Sequence, residues 1–253
     1  MNLYGMVGND AVSGFDPLGM YPGVPGHGSA ISPDDSVNLI RGAITRANEQ
    51  YARNSRKALN PYEQDPLKNR LAAIIQIPYY SIGEPALNTD SGNRFVYTCR
   101  YGWIDMGHFF RNVHGAVVLG KDATKAGADV TEMGQYHIGA RFLRWIGFGK
   151  YASKSGYAVE DLVSNQAGRN FGTKLTRDTD IVGNWQQFLR SAGAVRWDEA
   201  SKQAILEDMA SYGRLETMPL AKTPEEGSAW QKNRPLWRCL CDGDTPKLEA
   251  HRF

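Results

Sequence analysis

The chain has 253 residues, 42% of them hydrophobic and 11% aromatic, which suffices for the core of one large or two small domains and excludes a largely disordered polymer. Its 29 basic and 27 acidic residues leave a formal charge of +2, which does not exclude a nuclease but lacks the basic excess of a dedicated nucleic-acid binder. No run reaches the roughly 18–20 uninterrupted apolar residues of a transmembrane segment. Met1-Asn2-Leu3-Tyr4-Gly5 has neither the basic nor the apolar stretch of a signal peptide, so the expectation is a product of the cytoplasm that needs a carrier to leave it.

In chain order, Tyr4, Met6 and Val7 form a short extended piece, and Gly8-Asn9-Asp10 makes a turn. Asp16-Pro17-Leu18-Gly19 makes a second, because Pro pre-sets φ and Gly accepts positive φ. The order Asn2-x-Tyr4-x-x-Val7-Gly8-Asn9, followed by Asp16-Pro17-x-Gly19, resembles the conserved end of an RHS-repeat core, with Met20 where that family has Leu. The resemblance implies a β-strand shell around a C-terminal cargo, and self-cleavage after Met20 by an aspartyl mechanism in which Asp16 is one of two aspartates. The shell and the partner aspartate are not in this sequence, so the chain is not expected to cut itself. The resemblance also implies a toxin delivered to a competing bacterium by type VI secretion, with the RHS shell and a cognate immunity protein as partners. Tyr21-Pro22-Gly23-Val24-Pro25-Gly26-His27-Gly28 cannot hold helix or sheet. The expected organisation is therefore a core remnant at 1–20, a linker at 21–35 and an effector domain at 36–253.

The effector domain reads as mainly α, with α+β the alternative. Val37, Ile40, Ile44, Ala47 and Tyr51 recur at helical spacing after the capping candidates Asp34, Asp35 and Ser36. Asp65-Pro66 opens a second helix through Leu67, Leu71, Ile74 and Ile75, which Pro78 ends. Arg94 to Cys99 is the best strand candidate, rich in aromatic and β-branched residues. Helical patterns resume at 103–119, 131–147, 157–171, 181–192 and 198–212. The Pro-rich tail from Met218 reads as irregular, with Trp230 and Trp237 as anchors onto the body.

The densest candidate chemistry lies at Asp105 and His108, three apart and so on one helical face, with Asn112 four further on and His114 on the opposite side. Such a pair can orient an imidazole as general base or supply metal ligands. Trp103, Ile104, Met106, Phe109 and Phe110 indicate a buried helix, and a buried Asp–His pair requires partners. A second polar face carries Asp161, Ser164 and Asn165, expected to position substrate, with Glu160 beside it. The structural alternative for that face is an amphipathic helix opened by acidic residues. His137 is a further candidate, and Cys99 with His108 or His137 could form a nucleophile pair. Cys99, Cys239 and Cys241 make no disulfide framework and are expected to be free thiols. Tyr97-Thr98-Cys99-Arg100-x-Gly102-x-x-Asp105-x-x-His108 and Glu160-Asp161-x-x-Ser164-Asn165 are also similar to patterns in an uncharacterised, often exported bacterial family with no known activity.

Together these features lead to the expectation of a hydrolase toxin centred on Asp105 and His108, with a divalent metal as the candidate cofactor and the substrate open between nucleic acid and envelope. A membrane-disrupting or partner-binding cargo without enzymatic activity, a cytoplasmic nuclease and an inert cargo left by recombination are the alternatives.

Overall fold

Helices account for most of the described residues, which in the computed structural model are 29–54, 65–75, 93–134, 159–213 and 221–242. The RHS-like motif with Asp16, Pro17, Gly19 and Met20, and also His137, lie outside them. In order the elements are β1 (Ser29–Ala30), α1 (Pro33–Asn54), α2 (Pro66–Ile75), β2 (Asn93–Thr98), β3 (Gly102–Asp105), α3 (Met106–Leu119) and α4 (Lys121–Gly134). They continue with α5 (Val159–Gly172), α6 (Ile181–Ser191), α7 (Glu199–Gly213), α8 (Pro224–Lys232) and α9 (Pro235–Cys241). The fold is thus mainly α, with one small sheet, and no helix among the described residues is long and apolar enough to cross a membrane. The segment 29–35, read from sequence as the end of the linker, carries β1 and the start of α1.

Local chemistry accounts for most of the boundaries. Asp65 Oδ1 accepts the Leu67 N–H at 3.0 Å, capping α2 ahead of Pro66 as the sequence predicts. The cap of α1 lies earlier than expected: Ser32 Oγ accepts the Asp35 N–H at 3.0 Å, with Pro33 opening the helix. The tail read as irregular instead forms α8 and α9, each begun by a proline at its first position, where a missing N–H costs nothing.

Strand β2 pairs parallel with β1 and antiparallel with β3, in the order β1-β2-β3. The segment 102–105, of which 103–105 were expected to begin a helix, is a strand because Thr98 opposes Gly102 across a tight hairpin and Gly102 takes a φ of 74°, which favours glycine. Residue alternation then presents two apolar faces. Val96 and Ile104 join the main core with Ile40, Leu71, Phe109, Phe110 and Trp185. Phe95, Tyr97 and Trp103 form a second cluster with Ile205 of α7 and Leu236 of α9. The sheet is sandwiched between these two helical layers.

The second layer is tied on covalently. Cys99, just after β2, is disulfide-bonded to Cys241 of α9 across 142 residues, which corrects the expectation of free thiols there; Cys239 is free. Trp237 Nε1 donates to the Cys99 carbonyl at 2.7 Å beside the disulfide, the anchoring role expected of it. Trp230 packs against the Arg234 guanidinium, which in turn is paired with Asp208 at 2.6 Å. Closing so long a loop restricts the unfolded chain strongly, so reduction is expected to lower unfolding free energy by about 2–5 kcal/mol. Urea titrations with and without dithiothreitol, with Cys239→Ser as background, measure this.

In the first layer, α3 and α5 pack at backbone contact. A Cβ added at Gly168 would stand 2.2 Å from the Phe109 carbonyl oxygen, and one at Gly172 would stand 2.7 Å from that of Val113. Gly168→Ala is therefore expected to destabilise by about 1–3 kcal/mol or more through forced separation of the helices. Gly127→Ala, where the new methyl meets nothing within 4 Å among the described residues, is expected to be neutral or to stabilise by about 0.5–1 kcal/mol. Denaturant midpoints of the two variants decide the point.

Candidate functional site

The site is built where β3 passes into α3. Asp105 ends the strand with extended backbone, φ −76° and ψ 108°, and caps the helix: its Oδ1 accepts the Gly107 N–H at 2.7 Å and the His108 N–H at 3.2 Å. Its own N–H donates to Ser164 Oγ at 2.9 Å, and Ser164 donates to the Glu160 carbonyl at 2.6 Å. Asp105 is therefore the cap of α3 and not a residue on its face, and it is completely buried.

Two rows run along α5 at the four-residue spacing of a single helix edge. Ser164, Gly168 and Gly172 form a small-residue row seated on the β3–α3 backbone. Asp161, Asn165 and Arg169 form a polar row beside it, only 1%, 3% and 6% exposed. The polar row meshes with His108 and Asn112 of α3. An Arg169 guanidinium N–H donates to Asn112 Oδ1 at 3.0 Å. Asn112 Nδ2 donates to Asn165 Oδ1 at 2.6 Å and to the His108 carbonyl at 3.0 Å. Asn165 Oδ1 then lies 3.2 Å from His108 Nδ1, and His108 Nε2 lies 3.6 Å from Asp161 Oδ1.

The polarity of this ladder follows from one residue. A guanidinium can only donate, so the atom of Asn112 facing Arg169 is its oxygen and the one facing Asn165 is its nitrogen. The Asn165 atom between Asn112 and His108 must then be an acceptor, and His108 Nδ1 carries the hydrogen. In the neutral ring the lone pair sits on Nε2, turned toward Asp161. One donor atom each from Asp105, His108 and Asp161 lies within 4.8 Å of the other two. The His108 side chain is 18% exposed, against 1% for Asp161, so the imidazole is the member of this trio most open to an incoming molecule.

Of the residues expected from sequence, Asp105, His108 and Asp161 converge. Asn165 orients His108, and Ser164, buried with its hydroxyl bonded to backbone on both sides, holds the strand-to-helix junction in place instead of facing substrate. Glu160 is fully buried beside Asp161 but lies outside the converging trio. Cys99 is removed as a nucleophile because its sulfur is bonded to Cys241. Arg169, which sets the ladder's direction, was not anticipated; its signal is the repeat 161, 165, 169 on one edge. A groove lined by Ile31, Asp35, Asn38, Leu39 and Trp197 lies at the β1 edge and shares no residue with the ladder.

No family model, curated protein or solved structure matches this chain. What the site can do therefore follows from its own donors and acceptors. Two carboxylates around an imidazole lone pair can take a proton from water or hold a cation, and both lead to activated water.

His114, on the other side of α3 as its spacing predicts, has a different character. Burial, with a smaller contribution from the Lys68 charge on α2, lowers its pKa from 6.5 to about 4. The unfolded chain takes up a proton here near pH 6.5 while the folded chain stays neutral until about 4. Its contribution to stability is full above that window and is lost as pH falls through it. Urea midpoints measured between neutral pH and pH about 4.5 should fall for the wild type and fall less steeply for His114→Gln. Equal slopes would show that another group controls the acid limb.

Proposed function

We propose that this chain is the C-terminal effector module of an RHS protein used in competition between bacteria, and that its helical domain is a hydrolase acting through Asp105, His108 and Asp161. The observation that carries the hydrolytic reading is the orientation of His108. A four-residue ladder from Arg169 through Asn112 and Asn165 fixes its tautomer and turns Nε2 toward Asp161. A histidine serving only to fill the core needs no such chain of buried amides, each of which costs free energy to desolvate. The RHS assignment rests on Asn2, Tyr4, Val7, Gly8, Asn9, Asp16, Pro17 and Gly19, and with it come the carrier shell, type VI delivery from the producing cytoplasm and a cognate immunity protein.

Among substrates, the Cys99–Cys241 disulfide favours a component of the cell envelope, because disulfides persist in the periplasm and are reduced in the cytoplasm. The near-neutral charge supports the same choice over a nuclease.

The test is expression of the full chain in a susceptible bacterium, either in the cytoplasm or directed to the periplasm by a fused export signal. Growth arrest confined to the periplasmic form is expected, and it should be lost in His108→Ala and Asp161→Asn. Wild-type killing by both variants would sink the hydrolytic assignment, and killing from the cytoplasm alone would favour a nuclease. Dye release from liposomes without breakdown of lipid would favour the membrane-disrupting alternative.

A further inference from the structure

We propose that Asp105, His108 and Asp161 together bind one divalent transition-metal ion, of the Zn2+ or Mn2+ class; the inference rests on the hydrolytic reading and deepens it by naming the agent that activates water. Three features of the geometry favour an ion over direct proton transfer. The first is convergence: a carboxylate oxygen, an imidazole nitrogen and a second carboxylate oxygen lie within 4.8 Å of one another, on the end of a strand and two different helices. Ligands about 2.0–2.2 Å from one ion stand roughly 3.3–3.6 Å apart in a tetrahedral site and at most roughly 4.4 Å apart when opposite, so side-chain rotations that close the trio by up to about an ångström complete the coordination.

The second is the His108–Asp161 separation. At 3.6 Å it is longer than the roughly 2.7–2.9 Å of a charge-assisted hydrogen bond. The same separation suits two ligands of a shared ion: placed about 2.1 Å from each, the ion would see them at roughly 120°. The third is the tautomer. A histidine that binds metal through Nε2 typically donates its Nδ1 hydrogen to an oxygen acceptor that holds the ring in place. Asn165 Oδ1 occupies that position at 3.2 Å and is itself held by Asn112 and, through it, Arg169.

The donor set also selects the class of ion. Two carboxylates with a neutral imidazole balance a 2+ charge, and the imidazole disfavours Mg2+ and Ca2+, which prefer oxygen alone. Three protein ligands leave positions for water and for a substrate oxygen, the arrangement of a catalytic centre and not of a closed structural one. Such an ion acidifies its bound water, whose proton passes to solvent, so His108 acts as a ligand and is not the base.

The experiment uses the full chain, stripped with chelator and titrated calorimetrically with Mn2+, Zn2+ and Mg2+. One saturable site is expected in the wild type, with Mn2+ or Zn2+ preferred over Mg2+ by more than about tenfold. It should be lost in His108→Ala and in the near-isosteric Asp161→Asn, each shown to be folded by circular dichroism. Asn165→Ala keeps all three ligands and should weaken binding by about 10–100-fold, the effect of releasing a ligand's orientation. Co2+ should give a visible absorption band in the wild type that is missing in His108→Ala. Absence of a saturable site in the wild type, or titration curves unchanged in both ligand variants, would overturn the inference. Metal binding without toxicity would instead sink the hydrolytic reading, and toxicity that depends on His108 without metal binding would leave that reading standing with the imidazole as base.

Discussion

Short polar side chains can bridge two helices only where the backbones come within reach, and in this protein that condition is met by the contact of α3 with α5. Gly168 and Gly172 sit against the carbonyl oxygens of Phe109 and Val113 with no room for a methyl group. Helices more usually pack with their axes 8–10 Å apart, a distance set by the side chains between them. Removing those side chains along one row of α5 lets the adjacent row, Asp161, Asn165 and Arg169, reach His108 and Asn112 at distances of 2.6–3.6 Å. The candidate centre is thus a consequence of the packing. The same approach places Ser164 under Asp105, where it accepts the strand's last N–H and so settles where β3 ends and α3 begins.

Direction enters through Arg169. A row of amides and an imidazole can be hydrogen-bonded in either sense, and the two senses would put the His108 lone pair on opposite ring nitrogens. An obligate donor at one end removes the choice. That is a reason for a guanidinium to be buried at the end of the ladder away from His108, where a Lys would supply charge without the planar geometry that grips an amide oxygen. The role is one of positioning: Arg169 is three hydrogen bonds removed from the imidazole it orients.

Much of this arrangement was legible in the sequence, because it is written in local periodicity. The i,i+3 and i,i+4 spacings brought Asp105, His108 and Asn112 into one group and Asp161, Ser164 and Asn165 into another, and their burial was read from apolar neighbours such as Trp103 and Phe109. What escaped was set by contacts distant in sequence or by alternation too short to register. Gly102 to Asp105 spans four residues with every side buried, so it has no polar face to mark it as a strand. The Cys99–Cys241 bond joins residues 142 apart, and nothing local distinguishes those cysteines from Cys239. Helices α8 and α9 lie in the tail whose richness in proline reads as irregular, although a proline at the first position, as Pro224 and Pro235 are, starts a helix as well as it stops one.

The second helical layer bears on the site through the hairpin. Asp105 is the last residue of β3, and Trp103, two residues before it, is held from the far side of the sheet. Gln231 of α8 accepts the Trp103 N–H, and Trp103 Nε1 donates to Asp208 of α7 at 3.1 Å. Asp208 is fixed in turn by Arg234, which sits one residue ahead of α9, the helix that the disulfide binds back to the start of the hairpin loop. The register of β2 against β3, with Phe95 opposite Asp105, carries that anchoring to the capping carboxylate. Oxidation of two cysteines 142 residues apart therefore acts on the same short sheet that presents Asp105 to His108 and Asp161. Where the disulfide is formed, the capping carboxylate of Asp105 is therefore most firmly placed.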